Sequence, residues 1–161
     1  MRAALNVVKE HFGGKVITGA EIGVWRSENA EDILSNIDSL FLILVDSYIA
    51  SDGDENKEFA QKRLSEFKNK QFIFKDSVEA SKDFDDNHFD FIYIDAGHDR
   101  ESVMNDLVHW YPKVKDGGIV CGHDYGNMTV PDLGVNVSVD AFFKKLGKEV
   151  HTAEIDWWVF K

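Results

Sequence analysis

Five apolar runs punctuate the chain, and each carries an acidic residue at or near its end. Glu21 lies within residues 20–24, and Asp46 closes Leu40–Val45. Asp76 follows Phe72-Ile73-Phe74-Lys75, Asp95 closes Phe91-Ile92-Tyr93-Ile94, and Asp124 follows Ile119-Val120-Cys121-Gly122-His123. Runs this apolar, without polar alternation, predict strands buried on both faces of a parallel sheet. Ligands of open α/β sheets bind outside the carboxyl ends of the strands. The pattern therefore predicts five carboxylates along one edge of one sheet, an arrangement suited to a polyhydroxylated, cationic ligand.

Between these runs the spacing turns helical. Leu5, Val8 and Phe12 share one face of a helix over residues 3–12, which Gly13-Gly14 stops. A first strand over 16–24 leads to a helix opening at Ser27 or Glu28 and ending near Asn36. After the second strand, Leu40–Val45, Asp52-Gly53-Asp54 reads as a turn and 55–69 as a helix anchored by Phe59, Leu64 and Phe67. A third strand over 71–75, a short helix over 78–84 and a fourth strand over 88–94 follow. Residues 101–111 read as helix, and Lys115-Asp116-Gly117-Gly118 as a turn into the fifth strand. Residues 126–134 form a polar loop, suited to a lid or an acceptor contact. A last helix over 137–146 precedes two edge strands, 150–153 and 157–160, expected to pair antiparallel. This alternation predicts an α/β fold with a mostly parallel sheet.

Composition narrows the function. A chain of 161 residues supports one domain, 1–161, with a real core. Its 29 acidic against 18 basic residues, net charge -11, argue against a nucleic-acid or anionic-membrane partner and leave small molecules open. The lone Cys121 forms no internal disulfide, no run approaches the ~20 apolar residues of a membrane span, and the first ten residues lack a signal-peptide core. The expected location is cytoplasmic. Trp157-Trp158 reads equally as edge-strand core or as a homo-oligomer interface.

Four segments could carry chemistry. Glu21-Ile22-Gly23-Val24-Trp25-Arg26-Ser27 makes a strand-to-helix turn in which Gly23 would let a ligand approach the backbone. It is not the G-x-G-x-x-G of dinucleotide enzymes, which counts against an NAD-dependent oxidoreductase. Asp46 lies roughly 20 residues beyond Gly23, where an acid grips ribose hydroxyls in nucleotide-binding folds. Asp76-Ser77 could meet an adenine amino group, or Asp76 could cap the next helix. Asp95 and His98 after the fourth strand, with His123 and Asp124 after the fifth, suit a divalent metal or acid–base work.

Taken together, Glu-x-Gly, Asp46, Asp76-Ser77, Phe89-Asp90-Phe91-Ile92-Tyr93-Ile94-Asp95-Ala96-Gly97-His98 and Gly117-Gly118-Ile119-Val120-Cys121-Gly122-His123-Asp124-Tyr125 resemble the class I S-adenosylmethionine-dependent methyltransferases. The branch most resembled contains macrocin- and cephalosporin-pathway-type O-methyltransferases. The resemblance spans roughly residues 16–125. It implies a Rossmann-like three-layer sandwich with a seven-stranded sheet, order 3-2-1-4-5-7-6, the last strand antiparallel. It implies S-adenosylmethionine held by Glu21, Gly23, Trp25 and Ser27 at the methionine end, with Asp95 adjoining, by Asp46 at the ribose, and by Asp76 and Ser77 at the adenine. It implies magnesium or another divalent ion at Asp95, His123 and Asp124. Ser27 stands where a second glycine is usual, Arg100 where tyrosine is common, and His123 where metal-dependent relatives carry an acid.

The expected activity is methyl transfer to a hydroxyl of a small molecule or sugar. Asp95, His98, His123 and Asp124 are the catalytic candidates: either histidine as base, or a metal held by Asp95 and Asp124 lowering the hydroxyl pKa. The rival expectation is a module that binds the cofactor without catalysis.

Overall fold

A computed structural model describes residues 1–126 and 134–161. In chain order the elements are α1 (Ala3–Phe12), β1 (Ile17–Ile22), α2 (Glu28–Asn36), β2 (Leu40–Val45), α3 (Gly53–Arg63), β3 (Lys70–Ile73), α4 (Ser77–Ser81), β4 (Phe89–Ile94) and α5 (Arg100–Trp110). A 3-10 turn over Tyr111–Lys113 then leads to β5 (Val114–Gly122), α6 (Val135–Lys145), β6 (His151–Ala153) and β7 (Asp156–Phe160). The sheet runs β3-β2-β1-β4-β5-β7-β6, as expected. The first five of these strands pair in parallel, and β7 runs antiparallel to both β5 and β6.

The apolar runs work as period two demands. Leu42 and Leu44 face one layer, while Ile43 and Val45 face the other; Phe91 and Tyr93 divide likewise from Ile92 and Ile94. The first face is covered by Leu5 and Val8 of α1 and Ile33 of α2. The second is covered by Val103, Leu107 and Trp110 of α5 and Val139 and Phe143 of α6. Three layers follow directly. Trp157 is fully buried in the second cluster and Trp158 packs partly against the first, so the tryptophan pair serves the core. Among the described residues no helix is long and apolar enough to cross a membrane.

The boundaries that differ most from expectation lie in α3 and β5. Helix α3 stops at Arg63, not near Asn69, because Ser65 and Phe67 bond back three residues, to Lys62 and Leu64, and bring Asn69 alongside Leu40. Gly53 and Asp54, expected in a turn, open that helix. The segment 115–118 is not a connection before the fifth strand but a bulge inside β5. Phe89 and Phe91 pair with Val114 and Ile119, so the extra residues loop outward, with Gly117 at φ 78°. Lys161 secures the bulge: its N–H donates to the Gly118 carbonyl, and its own carbonyl accepts the Gly117 N–H. Most of the expected loop over 126–134 lies outside the described residues.

Candidate functional site

The sheet order reverses between β1 and β4, and the carboxyl ends of β1, β2, β3 and β4 border a cleft of about 750 Å³ there. Glu21, Gly23, Trp25, Asp46, Asp76 and Asp95 all border it, and Ser77 and His98 do so as well. Ser27 does not. It is fully buried at φ 56°, its Oγ donating to the Ala60 carbonyl, so it fastens α2 to α3.

Glu21 is the most distinctive group on the wall. Its side chain is 1% exposed. Asn29 Nδ2, from the first turn of α2, donates to Glu21 Oε1 at 2.8 Å. Among the described residues neither Glu21 Oε2 nor Asn29 Oδ1 has a donor. Burial pushes the Glu21 carboxyl up to about 8; Asp95 and Asp46 push the same way, against the Asn29 bond and Arg2. Two buried acceptors without a donor are rare in folded proteins, and a ligand carrying N–H groups would satisfy both.

Gly23 borders the cleft and also has a packing role. At φ 90°, a Cβ there would stand 2.2 Å from the Asp95 carbonyl oxygen and 2.6 Å from Ala96 Cα. The glycine lets the loops after β1 and β4 touch. Gly23→Ala is expected to wedge them apart, costing at least about 2 kcal/mol and weakening cofactor binding. Thermal unfolding and calorimetric titration of the variant check both; wild-type values for both would refute the packing role.

Asp46 is similarly engaged. Its Oδ2 accepts Val24 N–H and Trp25 N–H, both at 2.9 Å, and its Oδ1 accepts Tyr48 N–H at 2.8 Å. Trp25 and Tyr48 both sit in the left-handed region, and Tyr48 Oη donates to the Trp25 carbonyl. The strand-end acid thus stitches two loops together beside the cleft. On the far side, Asp76 caps α4 by accepting Val78 N–H and Glu79 N–H. Ser77 Oγ accepts from Trp110 Nε1 and donates to Asp106 Oδ1. Asp106 is almost buried, which raises its carboxyl to about 6.

Beside Asp95 and Asp124 the two histidines part. His98 Nε2 stands 2.9 Å from Asp124 Oδ2 and 3.4 Å from Asp95 Oδ1. His123 instead turns Nδ1 to Asp156 Oδ1 at 2.6 Å. Asp156, only 2% exposed, also accepts Ala4 N–H and Tyr93 Oη–H. Arg2 enters from the start of α1: its Nη1 donates to Asp95 Oδ2 at 2.6 Å and to Tyr93 Oη at 2.9 Å. Burial alone would raise the Asp95 carboxyl, but His98 and Arg2 hold it below the ordinary range. The bond to Asp95, opposed by burial and aided by Asp124, lifts His98 above the ordinary histidine value.

Ligand atoms of Asp95, His98 and Asp124 lie within 4.8 Å of one another, so the cluster that forms contains His98 and not His123. Two carboxylates and an imidazole suit a divalent ion in kind. The arrangement does not fit one as it stands. One Asp95 oxygen carries the Arg2 guanidinium, and the imidazole bridges the carboxylates an ion would use.

A family model described as a methyltransferase domain matches residues 20–125. The chain belongs to that methyltransferase family. A search of curated proteins finds no match. Solved structures share the fold at low identity. A protein provisionally named an rRNA-methylase from Clostridium thermocellum is 14% identical with TM-score 0.72, over 100% of this chain and 98% of its own. The O-methyltransferase NovP is 17% identical with TM-score 0.70, over 98% of this chain and 76% of its own. MycE, a methyltransferase of the mycinamycin biosynthetic pathway solved with magnesium and S-adenosylhomocysteine, is 14% identical with TM-score 0.67. That match covers 97% of this chain and 48% of MycE.

Proposed function

We propose that this methyltransferase, acting as one domain over residues 1–161, moves a methyl group from S-adenosylmethionine to a hydroxyl of a small molecule or sugar. One observation carries the cofactor assignment: the donor-less pair Glu21 Oε2 and Asn29 Oδ1 on the wall of the switch-point cleft. A methionine ammonium supplies the N–H groups that this pair lacks, and its positive charge suits a carboxylate. Asp46 then stands at the ribose, and Asp76 and Ser77 at the adenine. The net charge of -11 favours a small acceptor over a polyanion, and the O-methyltransferase NovP shares the fold.

Transfer is an in-line displacement. The acceptor oxygen forms the new bond to carbon, the carbon–sulfur bond breaks, and its electron pair stays on sulfur. Alignment in a closed site is worth about 7–11 kcal/mol of barrier, and a positioned base about 10²–10⁴-fold. His98 is the base this geometry favours. Nε2–H is directed at Asp124 and Asp95, while Nδ1 bonds no described residue and can take the acceptor proton. The two carboxylates stabilise the imidazolium that results.

Asp95→Ala is expected to abolish transfer while leaving S-adenosylhomocysteine affinity largely intact, measured by calorimetry and a methyl-transfer assay over hydroxylated acceptors. Full turnover in the variant would sink the assignment. The second reading, a cofactor-binding module without catalysis, predicts tight S-adenosylhomocysteine binding and no transfer to any acceptor. Absence of cofactor binding would end both.

A further inference from the structure

We infer that Arg2 is the resident cation of the Asp95–His98–Asp124 cluster, standing where a divalent ion would otherwise stabilise the acceptor oxygen. The inference rests on the methyltransferase reading and adds a residue to it.

Helix α1 begins with an arginine at its N-cap, and Arg2 makes no capping bond with its side chain. The task passes to Asp156 of β7, which accepts the Ala4 N–H at 2.9 Å. Arg2 is thereby released to reach into the cleft that Glu21, Asp95 and His98 also border. There it binds with one nitrogen only. Nη1 serves both Asp95 Oδ2 and Tyr93 Oη, and the guanidinium carbon lies 5.5 Å from the Tyr93 ring centroid. Nε and Nη2 bond no described residue, so the fork keeps donors for a ligand.

The same contact works against a metal. A divalent ion on Asp95, His98 and Asp124 would bind oxygen at about 2.0–2.1 Å if it were magnesium. It would then share one largely buried carboxylate with a guanidinium 2.6 Å from the other oxygen. Like charges that close repel strongly outside bulk water. Meanwhile the chemistry needs positive charge here. As the acceptor hydroxyl gives its proton to His98 Nδ1, its oxygen becomes negative before the O–CH₃ bond forms and the C–S bond breaks. A guanidinium already fixed beside that oxygen meets this charge without reorganising, and a planar fork suits it better than an ammonium.

The test uses Mn²⁺ as probe, by calorimetry and by its paramagnetic resonance, on wild type, Arg2→Met and Arg2→Lys. Wild type is expected to show no saturable binding at millimolar Mn²⁺ and to keep its transfer rate in chelator. Arg2→Met is expected to bind Mn²⁺ at least about tenfold more tightly than wild type, because Asp95 Oδ2 is then released from the guanidinium. Its kcat should fall by a larger factor than its S-adenosylhomocysteine affinity, and Arg2→Lys should recover part of the kcat loss. Saturable Mn²⁺ binding by wild type, or unchanged metal binding in Arg2→Met, overturns the inference. S-adenosylhomocysteine titration of wild type is read separately, so failure of the methyltransferase reading shows there and leaves the metal result standing on its own. Circular dichroism and the melting temperature of each variant establish that it is folded.

Discussion

Glu21→Gln is expected to abolish practical binding of S-adenosylmethionine and to stabilise the empty protein. Glutamine keeps the shape and can still meet Asn29, but it removes the charge that answers a methionine ammonium. Leaving a buried charge without its partner typically costs about 3–5 kcal/mol, which corresponds to a loss of affinity on the order of 10²–10⁴-fold. The empty protein responds in the opposite direction. Folding raises the Glu21 carboxyl from 4.5 to about 8 through burial, with Asp95 and Asp46 adding to the effect and Arg2 opposing it. Between those values the folded state holds a proton that the unfolded chain has released. Stability therefore falls as pH rises through that window, by roughly a few kcal/mol at its upper end. The glutamine variant lacks this slope, so its advantage in melting temperature should widen toward pH 8.

The same proton couples to the cofactor. An ammonium binds the carboxylate form, so binding below pH 8 must expel the Glu21 proton, and affinity should climb by up to about tenfold per pH unit there. Calorimetry of S-adenosylhomocysteine in buffers of different ionisation enthalpy reads that proton directly. A pH-independent affinity, or wild-type binding by the glutamine variant, would show that the ammonium sits elsewhere.

What could be read from sequence follows from how local each cause is. Leu40–Val45 is apolar on both faces and only six residues long, which fits a covered parallel strand, and so the sheet and its acidic edge were legible. Glu21, Asp46 and Asp95 reach the cleft because a strand end fixes where its last residue stands. Their roles were less legible, since Asp46 spends its oxygens on backbone N–H groups whose positions depend on two left-handed loop residues. The bulge at Gly117 looks like a turn locally, and only the register against β4 shows that the strand continues through it. Which histidine meets Asp95 is decided by the paths of two loops, and no spacing rule separates His98 from His123. Arg2, Asn29, Asp106 and Asp156 went unnoticed because none ends a strand on the cleft edge. Asp156 alone left a trace, as an acid beside Trp157 and Val159 in a run buried by the core.

Asp156→Ala is expected to cost about 3–5 kcal/mol of stability, lowering the melting temperature by about 10 °C. The carboxylate receives the Ala4 N–H, the Tyr93 hydroxyl and His123, so its removal leaves three donors without their acceptor in an almost dry interior. Asp156→Asn, which keeps an acceptor oxygen, should lose less. The effect reaches the site along a short route. Ala4 is two residues from Arg2, and the freed start of α1 would let the guanidinium leave Asp95. Hydrogen exchange at the Ala4 amide should accelerate in the alanine variant, and methyl transfer should drop beyond what the remaining folded fraction explains. Combined with Arg2→Met, the two losses of transfer should fall short of additive, because both remove one cation from one carboxylate. A melting temperature equal to wild type would mean that α1 is held by its apolar face alone, with Leu5 and Val8 sufficient to place Arg2.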